Sequence, residues 1–152
     1  MASKMKVTIS TKEFKTAFGK SCYYGLKAVG ECLQDAAREK APENTGNLKS
    51  KIEYEVHSST KKVLVGSTAY YARWQEFGSG IYYESQGIKK VGKRTIGEGR
   101  DTPWYYETPD GRLIRTVGNK AKPFLRPALN ENINKLEKIF AEQMRKGLWI
   151  RM

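Results

Sequence analysis

The spacing of apolar residues predicts two long amphipathic helices, one towards each end of the chain. Between residues 11 and 40, apolar side chains recur at steps of three and four, as they do along one face of an α-helix. Proline disfavours helical geometry in the residue before it, so Ala41-Pro42 is expected to end this helix. The second helix is entered through Pro127, which a first helical turn tolerates. The apolar positions are Phe14, Phe18, Cys22, Leu26, Val29, Leu33, Ala36 and Ala37 in the first helix, and Leu129, Ile133, Leu136, Phe140 and Met144 in the second.

Between these helices, the pattern changes to that of strands. Residues 51–56 alternate charged and apolar side chains, which is typical of a strand with one face on a core and one in water. The β-branched run at 63–66 is expected to pair back onto it as a hairpin, with the first helix covering the apolar side. Residues 70–77 have helical composition and end at Gly78, a suitable helix C-cap.

The stretch from residue 78 to residue 118 differs in composition, because it contains eight of the fourteen glycines. It is expected to leave the core as an extended excursion, with a mobile loop at 85–101. Pro109-Asp110-Gly111 has turn chemistry and predicts a second hairpin between 104–108 and 112–117. The pattern as a whole predicts an α+β fold in which the two long helices pack on a small, mostly antiparallel sheet. We expect a single domain over 1–152, with 79–120 as a basic, Gly/Tyr-rich loop and hairpin within it.

Size and composition agree with one globular domain. A chain of 152 residues can bury roughly 70% of the surface that its unfolded form exposes. It has no apolar run of membrane-spanning length and no secretory signal at its beginning, so we expect synthesis in the cytoplasm and no membrane partner. The net charge of +12 suggests an anionic partner or environment. The excess is spread along the chain, so no basic tail is predicted.

Residues suited to catalysis or metal binding are few. His57 is the only histidine, and its place at a strand end beside serines predicts a solvated turn residue. Cys22 and Cys32 lie ten residues apart in one predicted helix, too far apart for a disulfide, and are expected to be free thiols. Glu53 and Glu55 share a strand face that looks solvated. We therefore predict no enzyme activity, no catalytic residue, no cofactor and no metal.

The basic excursion offers a binding surface instead. Residues 87–94 approach the spacing of a phosphate-binding loop, but Arg94 stands where that loop needs a Ser or Thr hydroxyl for Mg²⁺. The cations could still face DNA phosphates or an acidic protein rim, or they could simply form a solvated surface loop. These candidate anion-facing or DNA-facing residues are Lys89, Lys90, Lys93, Arg94 and Arg100.

Three motifs together carry a more specific signal. They are Ala-Pro-Glu-Asn-Thr-Gly-Asn-Leu at 41–48, Tyr-Tyr-Ala-Arg-Trp-Gln-Glu-Phe-Gly at 70–78 and Ala-Lys-Pro-Phe-Leu-Arg-Pro-Ala-Leu at 121–129. In this order and spacing, over about residues 5 to 145, the chain resembles the minor tail, tail-completion or head–tail joining (neck) proteins of siphophages. The family is typified by gene product ten of HK97-type lambdoid phages. Its motif positions fall on Tyr71, Ala72, Glu76, Gly78, Pro123, Phe124, Pro127 and Ala128.

The resemblance implies a structural virion protein with an α+β fold and no catalysis. It also implies assembly with copies of itself, as a ring or a ring-associated subunit, and with connector, tail-terminator or tail-tube proteins at the tail or head–tail interface. Contact with DNA in the channel is a further expectation. The alternatives are a basic nucleic-acid-binding module in its own right and a small nuclease that uses His57.

Two motif residues have physical interpretations that do not depend on the family. A carboxylate at Glu76, beside a glycine-terminated turn, can accept hydrogen bonds from free backbone N–H groups or pair with a basic neighbour. Phe124 is expected to anchor the last helix in the core, with Lys122 and Arg126 facing a partner. The predicted partner-interface residues are Arg73, Trp74, Glu76, Phe77, Lys122, Phe124 and Arg126.

Overall fold

The computed structural model describes residues 10–42, 47–82 and 102–149, and within them the predicted α+β fold is confirmed. Four helices and four strands follow one another along these residues. In chain order they are α1 (Thr11–Lys40), α2 (Asn47–Ser50), β1 (Ile52–His57), β2 (Lys62–Ser67), α3 (Ala72–Phe77), β3 (Trp104–Glu107), β4 (Leu113–Thr116) and α4 (Leu125–Trp149).

The two long helices agree closely with the prediction. α1 ends at Lys40, immediately before Ala41-Pro42, and α4 begins at Leu125, so that Pro127 lies in its first turn. α2 was not predicted, because four residues are too few to show a helical repeat. The turn that Asn44-Thr45-Gly46-Asn47 predicts lies outside the described residues except for Asn47, which is the first residue of α2.

The strands form two separate two-stranded sheets, β1 with β2 and β3 with β4. β3 and β4 are antiparallel, with Trp104 opposite Thr116 and Glu107 opposite Leu113. In the turn between them the N–H of Gly111 donates to the carbonyl of Thr108 at 2.8 Å. Both predicted hairpins are therefore confirmed, the second with Pro109-Asp110-Gly111 at its turn.

The chain divides into two compact units, each built from separate segments. One unit combines Met1–Asp35, Tyr54–Val65 and Glu131–Met152, and the other combines Ala36–Glu53 with Gly66–Asn130. The expectation of a single domain stays a prediction.

In the first unit, α1 packs against both the β1–β2 hairpin and α4. A Cβ built on Gly30 would lie 2.5 Å from the ring of Tyr54 and 3.0 Å from a methyl group of Val63, so the helix backbone rests on the hairpin. A Cβ on Gly25 would lie 2.7 Å from the ring of Phe140 in α4. Glycines at these two positions let the elements approach closely, and the predicted cover of the hairpin by α1 is confirmed.

In the second unit, the core consists of small and aliphatic side chains together with Phe124, which is fully buried as predicted. The guanidinium of Arg38, near the end of α1, donates to the carbonyls of Lys49 at 3.2 Å and Ile52 at 3.0 Å. These bonds tie the end of α1 to α2 and to the start of β1. The other buried apolar residues of this unit are Ala37, Ala41, Leu48, Ile52, Ala69, Ala72 and Ala128.

The predicted apolar stripe of α4 is only partly buried. Leu136 is buried, whereas Leu129 and Ile133 are exposed. Successive residues of a helix are separated by about 100° around its axis. Because Ala128 is buried, its neighbour Leu129 lies at the edge of the buried face. Among the described residues, no helix is both long enough and apolar enough to cross a membrane.

Candidate functional site

The last turn of α3 leads into a glycine that sets the course of the following chain. Gly78 has φ 77° and ψ −178°, a combination that residues with a side chain avoid. A Cβ there would lie 2.5 Å from the carbonyl oxygen of Tyr82 and 3.0 Å from the backbone nitrogen of Ala121. The position therefore requires glycine both for its dihedral angles and for the close approach of two backbone segments.

The residues after Gly78 are hydrogen-bonded to the segment that precedes α4. The N–H of Ser79 donates to the carbonyl of Asn119 at 2.9 Å, and the N–H of Ile81 donates to the carbonyl of Val117 at 3.0 Å. The N–H of Lys122 donates to the carbonyl of Gln75 in α3 at 2.8 Å. The two ends of the segment 79–120 are thus closed against each other, next to the start of α4.

The carboxylate of Glu76 lies at the centre of this region. Its Oε2 accepts hydrogen bonds from the backbone N–H groups of Phe124 at 2.7 Å and Leu125 at 2.9 Å, and its Oε1 accepts one from the N–H of Arg126 at 3.1 Å. The first N–H groups of a helix have no partner within the helix. Glu76 supplies that partner for the start of α4, from a residue 48 positions earlier.

The side chain of Arg126 completes the arrangement. Its Nε donates to Glu76 Oε1 at 3.0 Å, and one terminal nitrogen donates to the backbone carbonyl of Glu76 at 2.8 Å. The guanidinium carbon lies 5.0 Å from the ring centroid of Phe77, within reach of a cation–π interaction. We call Glu76, Arg126 and the backbone N–H groups of 124–126 the Glu76 junction.

The Glu76 junction keeps its carboxyl group charged although the side chain is only 4% exposed. Burial by itself raises the pKa of Glu76. The hydrogen bonds from the backbone N–H groups of Leu125, Phe124 and Arg126, together with that from the Arg126 side chain, outweigh burial and hold the pKa below its ordinary value. The negative charge also lies at the positive end of the α4 dipole, where it is favourable.

The predicted partner-interface residues fall into three groups by exposure. Glu76 and Phe124 are buried inside the chain, where they join α3 to α4. Arg73 and Lys122 are exposed, and their contact with a partner stays a prediction. The remaining three, Trp74, Phe77 and Arg126, are half-buried.

The sequence did not predict that Glu76 and Arg126 would meet. Each was assigned to a different motif, and a contact between residues 50 positions apart leaves no periodic signal. For this contact, the sequence indicated only that a carboxylate precedes the glycine in one motif and that a cation follows Phe124 in the other.

Two side-chain polar atoms, one on α3 and one on the residue just before it, lack a hydrogen bond among the described residues. The indole nitrogen of Trp74 and the hydroxyl of Tyr71 are buried and have no partner among the described residues. Leaving a buried donor unpaired costs about 1–3 kcal/mol. In the described part of the second unit, they are the buried side-chain nitrogen and oxygen atoms that lack a partner.

The β3–β4 hairpin exposes large apolar side chains on both of its faces. Tyr105 and Leu113 lie on one face and Tyr106 and Ile114 on the other, according to the strand register. These four side chains are between 40% and 72% exposed, although Tyr and Leu normally gain from burial. We call these four residues the β3–β4 apolar surface. The sequence showed its tyrosines but did not indicate that both faces would be open.

The residues whose side chains are suited to catalysis, metal binding or anion binding lie in separate parts of the chain. His57 is the last residue of β1, the strand end at which the sequence placed it, and its side chain is 39% exposed, although its Nε2 is buried 3.5 Å from a carboxylate oxygen of Glu55. Cys22 and Cys32 are free thiols. In the described ranges, no three His, Cys, Asp or Glu side chains are grouped to hold a metal ion. The predicted basic loop residues Lys89, Lys90, Lys93, Arg94 and Arg100 lie outside the described residues.

Comparison with known families relates part of the chain to phage proteins. Residues 10–78 match the model of the HK97-gp10-like family, described as "Bacteriophage HK97-gp10, putative tail-component". The match includes the motifs at 41–48 and 70–78, whereas the motif at 121–129 lies beyond it. No curated protein and no solved structure matches the chain. The resemblance to the HK97-gp10-type tail-component family that the motifs indicated is therefore confirmed over residues 10–78.

Proposed function

We propose that this chain is a structural subunit of a tailed-phage particle that acts in tail completion or head–tail joining, as part of a ring or attached to one. The observation that carries the proposal is the match of residues 10–78 to a phage tail-component family. In this role the chain works by binding neighbouring proteins and performs no catalysis. Its site of action is the virion, at the tail or the head–tail interface, after synthesis in the host cytoplasm.

The β3–β4 apolar surface supports an assembly role. A two-stranded hairpin alone is marginally stable in water, so a hairpin that is apolar on both faces gains stability when a partner covers it. Tyrosine and large aliphatic side chains are typical of the buried centres of protein interfaces. We propose that this surface of one subunit contacts a different surface of the next copy, which is the arrangement that closes a ring.

The hydrogen bonds between the residues after Gly78 and the segment before α4 support the same role, because they fix the base of the hairpin. Ser79 and Asn119 lie at the two ends of the segment that carries β3 and β4, and both are hydrogen-bonded close to α3. A rigid base lowers the entropy that is lost when the hairpin docks on a partner. Connector, tail-terminator and tail-tube proteins are the neighbours that the proposal assigns.

The proposal is tested by measuring assembly of the purified full-length chain. Light scattering and negative-stain electron microscopy, on the chain alone and mixed with the tail and connector proteins of the same phage, are expected to show closed rings or a stable complex. A chain that stays monomeric at every concentration and binds none of these proteins would contradict the proposal.

A second candidate function is favoured by the net charge of +12. A nucleic-acid-binding module would use its cations to displace counterions from phosphates, so its affinity for DNA would fall steeply as salt is raised. Fluorescence anisotropy with duplex and single-stranded DNA measures this directly. A dissociation constant above about 100 μM at low salt would be weaker than ordinary non-specific DNA binding and would remove this candidate.

A further inference from the structure

A cleft of about 390 Å³ opens between α1 and α4 within the first unit. Its floor consists of small residues, namely Ala17 and Ser21 from α1 and Gly147 from α4. A Cβ built on Gly147 would overlap the hydroxyl oxygen of Ser21, so the two helices are nearly in backbone contact there. The hydroxyl of Ser21 is itself satisfied, because it donates to the carbonyl of Ala17 at 2.8 Å. The cleft therefore exists because its floor has no long side chains to fill it.

The rim of the cleft carries long side chains with positive charge. Lys20 from α1 and Lys146 from α4 both line it and are both exposed, and Tyr24 is exposed beside them. Neither lysine has an ion-pair partner among the described residues, and no carboxylate lines the cleft. Two unpaired cations beside a small apolar floor form a site for an anion that also brings an apolar group.

We infer that this cleft binds an acidic segment of a partner protein, with carboxylates at Lys20 and Lys146 and one apolar side chain on the floor. An acidic peptide supplies both parts, whereas the DNA backbone supplies phosphates but no aliphatic group for the floor. The inference rests on the cleft alone and does not depend on the proposed role in the phage particle.

The test uses the full-length chain and a defined probe. The probe is a fluorescein-labelled twelve-residue peptide that has a central leucine flanked by glutamates, and its affinity is measured by fluorescence anisotropy at low salt. Parallel titrations use the same peptide with glutamines in place of the glutamates, inorganic phosphate as a competitor, and a labelled DNA duplex.

Two double variants separate the cleft from general charge attraction. Lys20→Glu with Lys146→Glu reverses the charge of the rim. Lys15→Glu with Lys138→Glu changes the net charge by the same amount, at exposed lysines of α1 and α4 that do not line the cleft. We expect about a tenfold loss of affinity for the acidic peptide in the first and less than a threefold change in the second. Ala17→Phe, which fills the floor and leaves every charge in place, is also expected to weaken binding. Backbone amide shifts on peptide addition should include those of Ser21 and Gly147.

Three outcomes would overturn the inference. The first is no binding of the acidic peptide, or equal binding of its glutamine version. The second is an equal loss in both double variants, which would indicate non-specific attraction. The third is that the duplex or inorganic phosphate binds more tightly than the acidic peptide and that only the Lys20 and Lys146 variant loses this binding. That result would assign the cleft to a phosphate group instead.

Discussion

At the residue scale, Glu76 performs a task that usually belongs to a local residue. Helices are commonly capped by a Ser, Thr, Asp or Asn next to the first turn. Here the cap of α4 is a buried carboxylate from α3, and it binds three N–H groups and the guanidinium of Arg126. The start of α4 therefore depends on α3 being formed, so one side chain couples two distant parts of the sequence.

Replacing this carboxylate tests the coupling. Glu76→Gln keeps the size of the side chain but removes its charge and places an amide N–H₂ near backbone donors. We expect the free energy of unfolding to fall by about 2–3 kcal/mol, because charge-assisted bonds are lost in a buried site. Urea denaturation measures this change. Glu39→Gln, at an exposed position of α1, serves as the control and should change stability by less than about 0.5 kcal/mol. Equal effects of the two substitutions would show that the junction is not stabilising.

The pKa of Glu76 also predicts how stability depends on pH. The folded-state pKa is lower than that of the unfolded chain, so the carboxylate stabilises the fold fully at pH values above 4.5, the ordinary pKa of Glu. This contribution is lost as pH falls through the folded-state pKa. As the pH falls from 5 through the folded-state pKa, the free energy of unfolding of the wild type should therefore decrease more than that of the Glu76→Gln variant. Parallel curves for the two proteins, measured by thermal or urea unfolding, would contradict this assignment.

At the scale of elements, local patterns predicted most of the fold. The helical repeat of α1 and the proline after it gave both ends, and Pro109-Asp110-Gly111 located the turn between β3 and β4. These features depend on neighbouring residues only, so the sequence shows them. The Glu76 junction, the open faces of the second hairpin and the cleft between α1 and α4 depend on residues far apart in sequence. No local repeat indicates which distant residues will meet.

The β3–β4 hairpin gives a prediction about assembly. Leu113→Ser with Tyr105→Ser makes one face of the hairpin polar without touching the turn or the Glu76 junction. If this surface binds a neighbouring subunit, the substitutions should shift the assembled species towards monomer while the chain stays folded. Mass measurement by light scattering, with circular dichroism to check the fold, provides the readout. The exposed pair Thr11→Ser with Lys15→Ser on α1 is the control and should assemble as the wild type does. Unchanged assembly of the hairpin variant would rule out this surface.

At the scale of the whole molecule, the family match and the charge describe different things. The match covers residues 10–78 and relates that part to phage tail components, whereas the net charge of +12 is spread along the entire chain. Charge affects association rates and solubility more than fold, so it agrees with acidic protein partners as well as with DNA. If proteins are the partners, raising salt should slow assembly but leave completed rings or complexes intact, because apolar contacts are not screened. Dissociation of the complexes at moderate salt would instead indicate a mainly electrostatic interface.

The most direct test of the central claim, that the chain is a structural part of a phage particle, is made in a phage whose genome carries its gene. The gene is deleted, the particles produced are imaged by electron microscopy, and the intact gene is then supplied from a plasmid. We predict that deletion leaves separate heads and incomplete or unjoined tails without infectivity, and that the plasmid restores complete particles containing the chain. Normal, infectious particles formed without the chain would contradict the account.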